Sequence, residues 1–380
     1  MEPSSVSISG VTAEPQLTSS KNGVILSWLE QTGPTSTLEF TERTSSGSWS
    51  AAQKVASGTD WFVSWADVPS VMRSSDGTLV AHWFKAVDPT IEAYDIRLSY
   101  SRDNGKSWAR PFAPHHDGTK SEHGFASLFE RPDQGLGLVW LDGRDAVRHQ
   151  ADPENVEMGL YFASFDAAWK QDAETLANAR VCECCSTSVA VTSEGVIAAF
   201  RDRSPKEIRD IAVTRLENGS WTPPLPVHVD NWEIDACPVN GPAISARGRT
   251  VASAWFTVKN DKGHAYAAFS SDAGRSWGEP IRLDDETSLG HVDIELLDDD
   301  SAAATWVEFT GQRARFRVRR VEPSGARSAP VDVAGSGAGR VSGYPHLSRI
   351  GNELIFAWTE SMGEEERNQQ VKTAIGRLSP

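Results

Sequence analysis

Short apolar runs of strand length, bounded by turn residues, punctuate this chain. The runs recur. Seven times an apolar stretch ends in an aromatic side chain, usually followed two positions later by a polar one: VILSW to Trp28, LVAHW to Trp83, LGLVW to Trp140, VIAAF to Phe200, VASAW to Trp255, AAATW to Trp306 and LIFAW to Trp358. Successive aromatics are separated by 55, 57, 60, 55, 51 and 52 residues. A nearly constant period of this length marks a repeat architecture.

A turn signature precedes each run: SKNG at 20–23, SSDG at 74–77, RPDQG at 131–135, TSEG at 192–195, SARG at 245–248, DDD at 298–300 and SRIGN at 348–352. Gly, Asn and Asp supply the positive φ angles that close hairpins. Another short strand stands before each turn, and one or two follow each aromatic, as in DIRLSYS and AYAAFSS. Each period therefore predicts a four-stranded antiparallel sheet, and seven of them an all-β, seven-bladed β-propeller. Stacked blades hide one another's faces, so residues 1–380 are read as a single domain. The last repeat looks one strand short, and residues 5–12 (SVSISGVT) are expected to complete it. The glycine-rich stretch near Gly335–Gly339 is expected to be a loop between blades.

Fourteen Trp against four Met fit flat side chains packed between sheets. A formal net charge of -15 argues against nucleic acid, whose phosphates nothing here would neutralise. No apolar run reaches the ~20 residues of a membrane-spanning helix. The first ten residues lack the apolar core of a signal peptide. The partners expected on these grounds are a small molecule, a glycan or a metal ion.

Two segments share the pattern S-x-D-x-G-x-S-W: Ser101 to Trp108, around Asp103 and Gly105, and Ser270 to Trp277, around Asp272 and Gly274. Weaker relatives end at Trp49, Trp169 and Trp221. In such a turn the Asp side chain accepts backbone N–H bonds and the Gly takes a strained φ/ψ. The pattern matches the Asp-box, and with the seven repeats the chain resembles the sialidase-like (BNR, or Asp-box) repeat proteins. The segments FRDRSPKEIRDIAVTRL, CECC and CPVNGP resemble bacterial members labelled sialidase-like by their repeats. The resemblance implies a structural role for Asp103 and Asp272, on the face opposite the usual active site, and an exported protein, periplasmic or secreted. Sialidases of this kind carry an F/Y-R-I-P motif that is absent here, and six blades, so a six-bladed sialidase-type propeller is the alternative architecture.

Propeller geometry gathers the starts of inner strands and the ends of second strands on one face. The inner-strand starts offer Trp65, Asp67, Glu122, His123, Cys182, Cys184, Cys185, Asp235, Cys237, His291, Asp293, Tyr344 and His346. All four cysteines fall in that set. Thiolates and imidazoles around one axis suit a soft or borderline cation, so Cys182, Cys184, Cys185, Cys237, His123 and His291 are the candidate ligands of a copper or zinc ion. The competing reading is one or two disulfides joining repeats four and five. Cys182-Glu-Cys184-Cys185 is read as neither a CxxC redox pair nor a CxxCH haem motif.

The second-strand ends offer Asp142, Arg144, Arg201, Asp202, Arg203, Glu207 and Arg209. Arg144, Arg201 and Arg203 would clamp the carboxylate of an acidic sugar, unless they pair with the neighbouring acids. Three functions follow. The first is an exported propeller with a Cys/His metal site at the channel mouth. The second is a sialidase-type glycoside hydrolase with Asp67 or Glu122 as acid, Tyr344 the tyrosine placed at an inner-strand start, and the arginines holding substrate. The third is a carbohydrate- or peptide-binding scaffold with structural disulfides, presenting Trp61 and Trp65.

Overall fold

A computed structural model describes residues 1–380 apart from 5, 7, 22, 45, 89, 149–156, 312, 337–343, 362–368 and 379–380. Among the described residues there are 28 strands and one short helix, Arg144–Arg148. The strands form seven antiparallel sheets of consecutive segments, except that Glu2–Pro3 joins the last. The fold is the all-β, seven-bladed β-propeller that the repeats predict. No helix among the described residues is long and apolar enough to cross a membrane. Contacts divide the chain into two compact units, Met1–His116 with Gly337–Pro380, and Asp117–Ser336.

The first unit holds three sheets. Val11–Ser20, Gly23–Thr32, Thr35–Thr44 and Gln53–Gly58 pair in that order. Ser70–Arg73, Leu79–Asp88 and Ala93–Ser101 make the next, with a bridge from Leu98 to Phe112 in the fourth position. His346–Ile350, Glu353–Ser361 and Gln369–Arg377 make the last, and Glu2–Pro3 pairs with its outer strand. Residues 5–12 do not fill that place. Gly10, at φ 88°, breaks the run, and Val11 and Thr12 open the first sheet; Ser5 and Ser7 lie outside the described residues.

The second unit holds four sheets. They comprise His123–Glu130 through Gln171–Val181, Ser188–Thr192 through Leu225–Pro226, Ala243–Arg247 through Ile281–Arg282, and Thr287–Leu296 through Val331–Ser336. In the second of these, two short segments, Ser220–Trp221 and Leu225–Pro226, share the outer position. The loop expected near Gly335–Gly339 is corrected in part: Gly335 and Ser336 end a strand, and Gly337–Gly339 lie outside the described residues.

The repeating aromatic is buried in the first six repeats, while Trp358 of the seventh is half-buried. Trp28, Trp140, Trp255 and Trp306 are at most 2% exposed, and burying a large apolar side chain contributes roughly 2–3 kcal/mol. The polar residue two positions on has a reason. The indole N–H of Trp140 donates to Asp142 at 2.7 Å, and that of Trp306 to Glu308 at 3.0 Å. A buried ring N–H needs such an acceptor.

Candidate functional site

In the first unit a strand irregularity places a carboxyl group in the interior. Pairing between Val11–Ser20 and Gly23–Thr32 slips between Ala13 and Gln16, and Glu14 takes φ 55° ahead of Pro15. Such a bulge re-aims the side chain it carries. Glu14 is 6% exposed and Asp67 is 2% exposed. Burial holds the Glu14 carboxyl well above the usual carboxylate range, and the charge of Asp67 pushes it further. Two buried carboxylates that feel each other cannot both ionise easily. The strand carrying Glu14 packs against Ser70–Arg73, which follows Asp67, and against His346–Ile350, which follows Tyr344. Trp65, two residues before Asp67, is half-buried and stacks on the Tyr344 ring with centroids 6.0 Å apart. Asp67 and Tyr344, both expected from sequence, thus belong to one neighbourhood. Glu14 was not anticipated. Its signal was an acidic residue inside an apolar strand pattern immediately before proline, VTAEPQL.

In the second unit the cysteines sort into two pairs. Cys184 and Cys237 form a disulfide with Cα atoms 6.0 Å apart. Cys182 and Cys185 are free thiols, both 1% exposed, with sulfur atoms 2.6 Å apart. Their positions differ by three, so the CECC run does contain a CxxC pair, and the sequence reading that set one aside is corrected. The chain turn after Val181 brings them together, where an extended strand would have pointed adjacent cysteines to opposite faces. Cys182 Sγ also lies 3.9 Å from Cys184 Sγ.

Two arginines frame this centre. Arg209 donates to Cys182 Sγ at 3.5 Å, to Glu183 at 3.0 Å and to Glu207 at 2.9 Å. Burial raises the Cys182 thiol, but the Cys185 hydrogen bond, the Arg201 charge and the Cys184 N–H outweigh it and bring it to about 7. Burial, then the hydrogen bond and charge of Cys182, drive Cys185 well above its ordinary value. Arg201, 1% exposed, donates to the carbonyls of Asn240, Arg209 and Phe256 at 2.9, 2.5 and 2.7 Å, and its guanidinium lies 4.9 Å from the Trp232 ring centre. The CPVNGP segment belongs to the same centre. Asn240 Oδ1 accepts the His291 N–H at 2.8 Å, and a Cβ at Gly241 would collide with the Ser186 carbonyl.

His123, Asp142 and Arg144 belong to a third group, in the second unit. His123, fully buried, lies 3.1 Å from Asp117 and 3.7 Å from Asp142. Arg144 pairs with Asp142 and Glu174 at 2.7 Å each and with Asp117 at 3.5 Å. It also covers the Tyr161 ring at 4.1 Å, and Tyr161 donates to Asp145 at 2.7 Å. The guanidinium already supplies the cation these carboxylates need. Glu122 is half-buried beside this group, its carbonyl accepting the Gly143 N–H at 2.9 Å.

The expected ligand set of four cysteines with His123 and His291 is therefore not gathered as one cluster. Three sulfurs group together, two cysteines are joined in a disulfide, and His123 groups with Asp117 and Asp142. The expected arginine clamp is not assembled either. Arg144 is held by acids, Arg201 by backbone carbonyls, and Arg203 by Glu207 at 2.9 Å and Glu183 at 3.5 Å.

The two S-x-D-x-G-x-S-W turns are structural. Asp103 accepts from Ser107 N at 2.9 Å, Ser107 Oγ at 2.6 Å and Ser101 Oγ at 2.8 Å; Asp272 repeats this with Ser276 and Ser270 at 2.9, 2.6 and 2.7 Å.

No family model matches the chain, and no curated protein matches it. Solved structures do. A protein of unknown function from Dyadobacter fermentans is 14% identical over 97% of this chain and 95% of its own, with a TM-score of 0.52. A GH93 α-L-arabinofuranosidase of Fusarium graminearum, in complex with arabinobiose, is 12% identical over 84% of this chain and 95% of its own, with a TM-score of 0.54. The NanB sialidase of Streptococcus pneumoniae, as its K499G mutant, is 9% identical over 97% and 93%, with a TM-score of 0.48. The first two likenesses are of fold.

Proposed function

We propose that the protein is a glycan-cleaving propeller whose acid–base pair is Glu14 and Asp67. The observation that carries this reading is the burial of two carboxyl groups, Glu14 at 6% and Asp67 at 2% exposure, on segments that adjoin the Trp65–Tyr344 stack, with burial and the charge of Asp67 raising the Glu14 carboxyl. Glycoside hydrolysis needs one carboxyl that keeps its proton near neutrality and one that has lost it. Glu14 takes the first role and protonates the departing glycosidic oxygen. Asp67 takes the second, as base or nucleophile. The stacked rings of Trp65 and Tyr344 provide the aromatic surface on which a sugar ring packs. The fold likeness to an arabinofuranosidase is in keeping with such chemistry on this scaffold. The arginine clamp expected for an acidic sugar is committed elsewhere, which favours a neutral sugar over a sialic acid.

A panel of fluorogenic arabinofuranosides, other neutral glycosides and sialosides, assayed from pH 4 to 8, tests this. Glu14→Gln should lose turnover of substrates with poor leaving groups while keeping much of it on dinitrophenyl glycosides, which need no acid. Asp67→Asn should lose both. Absence of turnover by the unaltered protein on every glycoside, or equal loss on both leaving groups in Glu14→Gln, would remove the reading.

A further inference from the structure

The cysteine centre takes no part in that chemistry, and its four sulfurs are graded in exposure. Cys237 is exposed, its disulfide partner Cys184 is half-buried, and Cys182 and Cys185 are buried. Cys182 stands between the two pairs, 3.9 Å from Cys184 Sγ and 2.6 Å from Cys185 Sγ. We propose that these four cysteines form a thiol–disulfide relay, in which the exposed Cys184–Cys237 disulfide passes its oxidation to the buried Cys182/Cys185 pair.

The exchange balances within the chain. The Cys182 thiolate attacks Cys184 Sγ, a Cys182–Cys184 bond forms, and Cys237 leaves as thiolate. Cys185, once deprotonated, attacks Cys182 Sγ and releases Cys184. The products are a Cys182–Cys185 disulfide and two thiols, Cys184 and Cys237. The two protons of the buried pair pass to those thiols, and one disulfide is present throughout. Thiol–disulfide exchange requires a thiolate as attacker and an accessible sulfur. Arg209, donating to Cys182 Sγ at 3.5 Å, stabilises the attacker. The carboxylates facing the centre, Glu183 and Glu207, are themselves held by Arg209 and Arg203. The arrangement suits exchange with an external thiol, small or protein-borne, that meets the chain at Cys237. A CxxC pair behind a surface disulfide gives the relay two stations.

The chain's own cleavage sites make the test direct. Trypsin releases Cys182, Cys184 and Cys185 on one peptide, residues 181–201, and Cys237 on another, residues 216–247. The full-length protein, purified without chelator, is incubated in glutathione buffers between pH 6 and 9, quenched in acid, alkylated, digested and mapped by mass. A relay gives a population in which Cys237 is alkylated while peptide 181–201 carries an internal Cys182–Cys185 disulfide, with two thiols per chain as before. Cys182→Ser, which removes the attacking thiolate, should abolish that population and leave peptide 216–247 linked to Cys184. Persistence of the 184–237 linkage in every unaltered chain that has two thiols would overturn the proposal. So would release of Cys237 with an internal disulfide on peptide 181–201 in Cys182→Ser, or about one equivalent of copper or zinc protecting Cys182 and Cys185 from alkylation. The glycosidase panel reads Glu14 and Asp67, so either idea can fail without the other.

Discussion

The ring of Trp65 lies nearly parallel to that of Tyr344, with 10° between the planes and 6.0 Å between centroids, although the residues are far apart in the chain. Trp65 is half-buried, whereas the blade-core tryptophans are closed off. Under the proposed glycan-cleaving role, Trp65 is the ring of this pair that a sugar would meet, since Tyr344 is buried.

Removing that ring should weaken glycan binding while sparing the fold. Trp65→Ala is expected to raise KM about tenfold, the equivalent of ~1.4 kcal/mol, with kcat changed less. Titration with oligosaccharides, alongside thermal melts of both proteins, checks it. Equal affinity for Trp65→Ala would separate the stack from substrate binding.

Glu14 should leave a mark on stability as well as on catalysis. Its pKa in the fold lies well above the ordinary 4.5. Between those two values the folded state keeps a proton that the unfolded chain has released, so stability is full at low pH and declines as pH rises. Melting curves from pH 5 to 8 should show this decline in the unaltered protein and a flatter profile in Glu14→Gln. Parallel profiles would place the proton elsewhere.

Arg201 is predicted to hold the cysteine centre in shape. Lysine cannot reach the carbonyls of Asn240, Arg209 and Phe256 together. Arg201→Lys should cost about 3 kcal/mol of stability, since each buried acceptor left unpaired costs roughly 1–3 kcal/mol. Denaturant titration gives the number, and a loss within error of zero would mean the backbone finds other donors.

Asp272 should matter for stability and not for turnover. Burial raises its pKa, but hydrogen bonds from Ser276 and Ser270 and from backbone N–H groups outweigh that and lower it to about 2. The stabilisation is present above the ordinary value of 3.8 and is lost as pH falls through about 2. Asp272→Asn should therefore melt earlier than the unaltered protein at pH 6, and the gap should close between pH 4 and pH 2. Glycosidase activity at 25 °C is expected to be unchanged. A gap that persists at pH 2 would assign the effect to something other than the carboxylate.

The repeats were legible because blade formation depends on local pattern. An apolar strand, a turn with positive φ and an aromatic every 51–60 residues specify a sheet that must cover its faces. Trp140 with Asp142 and Trp306 with Glu308 show how far this goes, since even the polar residue after the aromatic has its reason within two positions. The S-x-D-x-G-x-S-W turns are equally local.

The sites were less legible, for a physical reason in each case. Strand alternation predicted that adjacent cysteines diverge, but a turn after Val181 overrides it, joins Cys184 to Cys237 across repeats and sets Cys182 beside Cys185. Glu14 looked like an ordinary strand residue until a bulge turned it inward towards the charge of Asp67. The arginines had the composition of a carboxylate clamp, and only the packing decided that carbonyls and acids of this chain would hold them apart. By itself the sequence determined the seven repeats, the antiparallel strands within each and the turns between them, because those depend on contacts within one repeat, whereas the strand that completes the last sheet, Glu2–Pro3 on Gln369–Arg377, joins the two ends of the chain. The tertiary structure decided which charges face each other and which sulfurs meet, because those pairings join residues tens of positions apart, where local pattern carries no information.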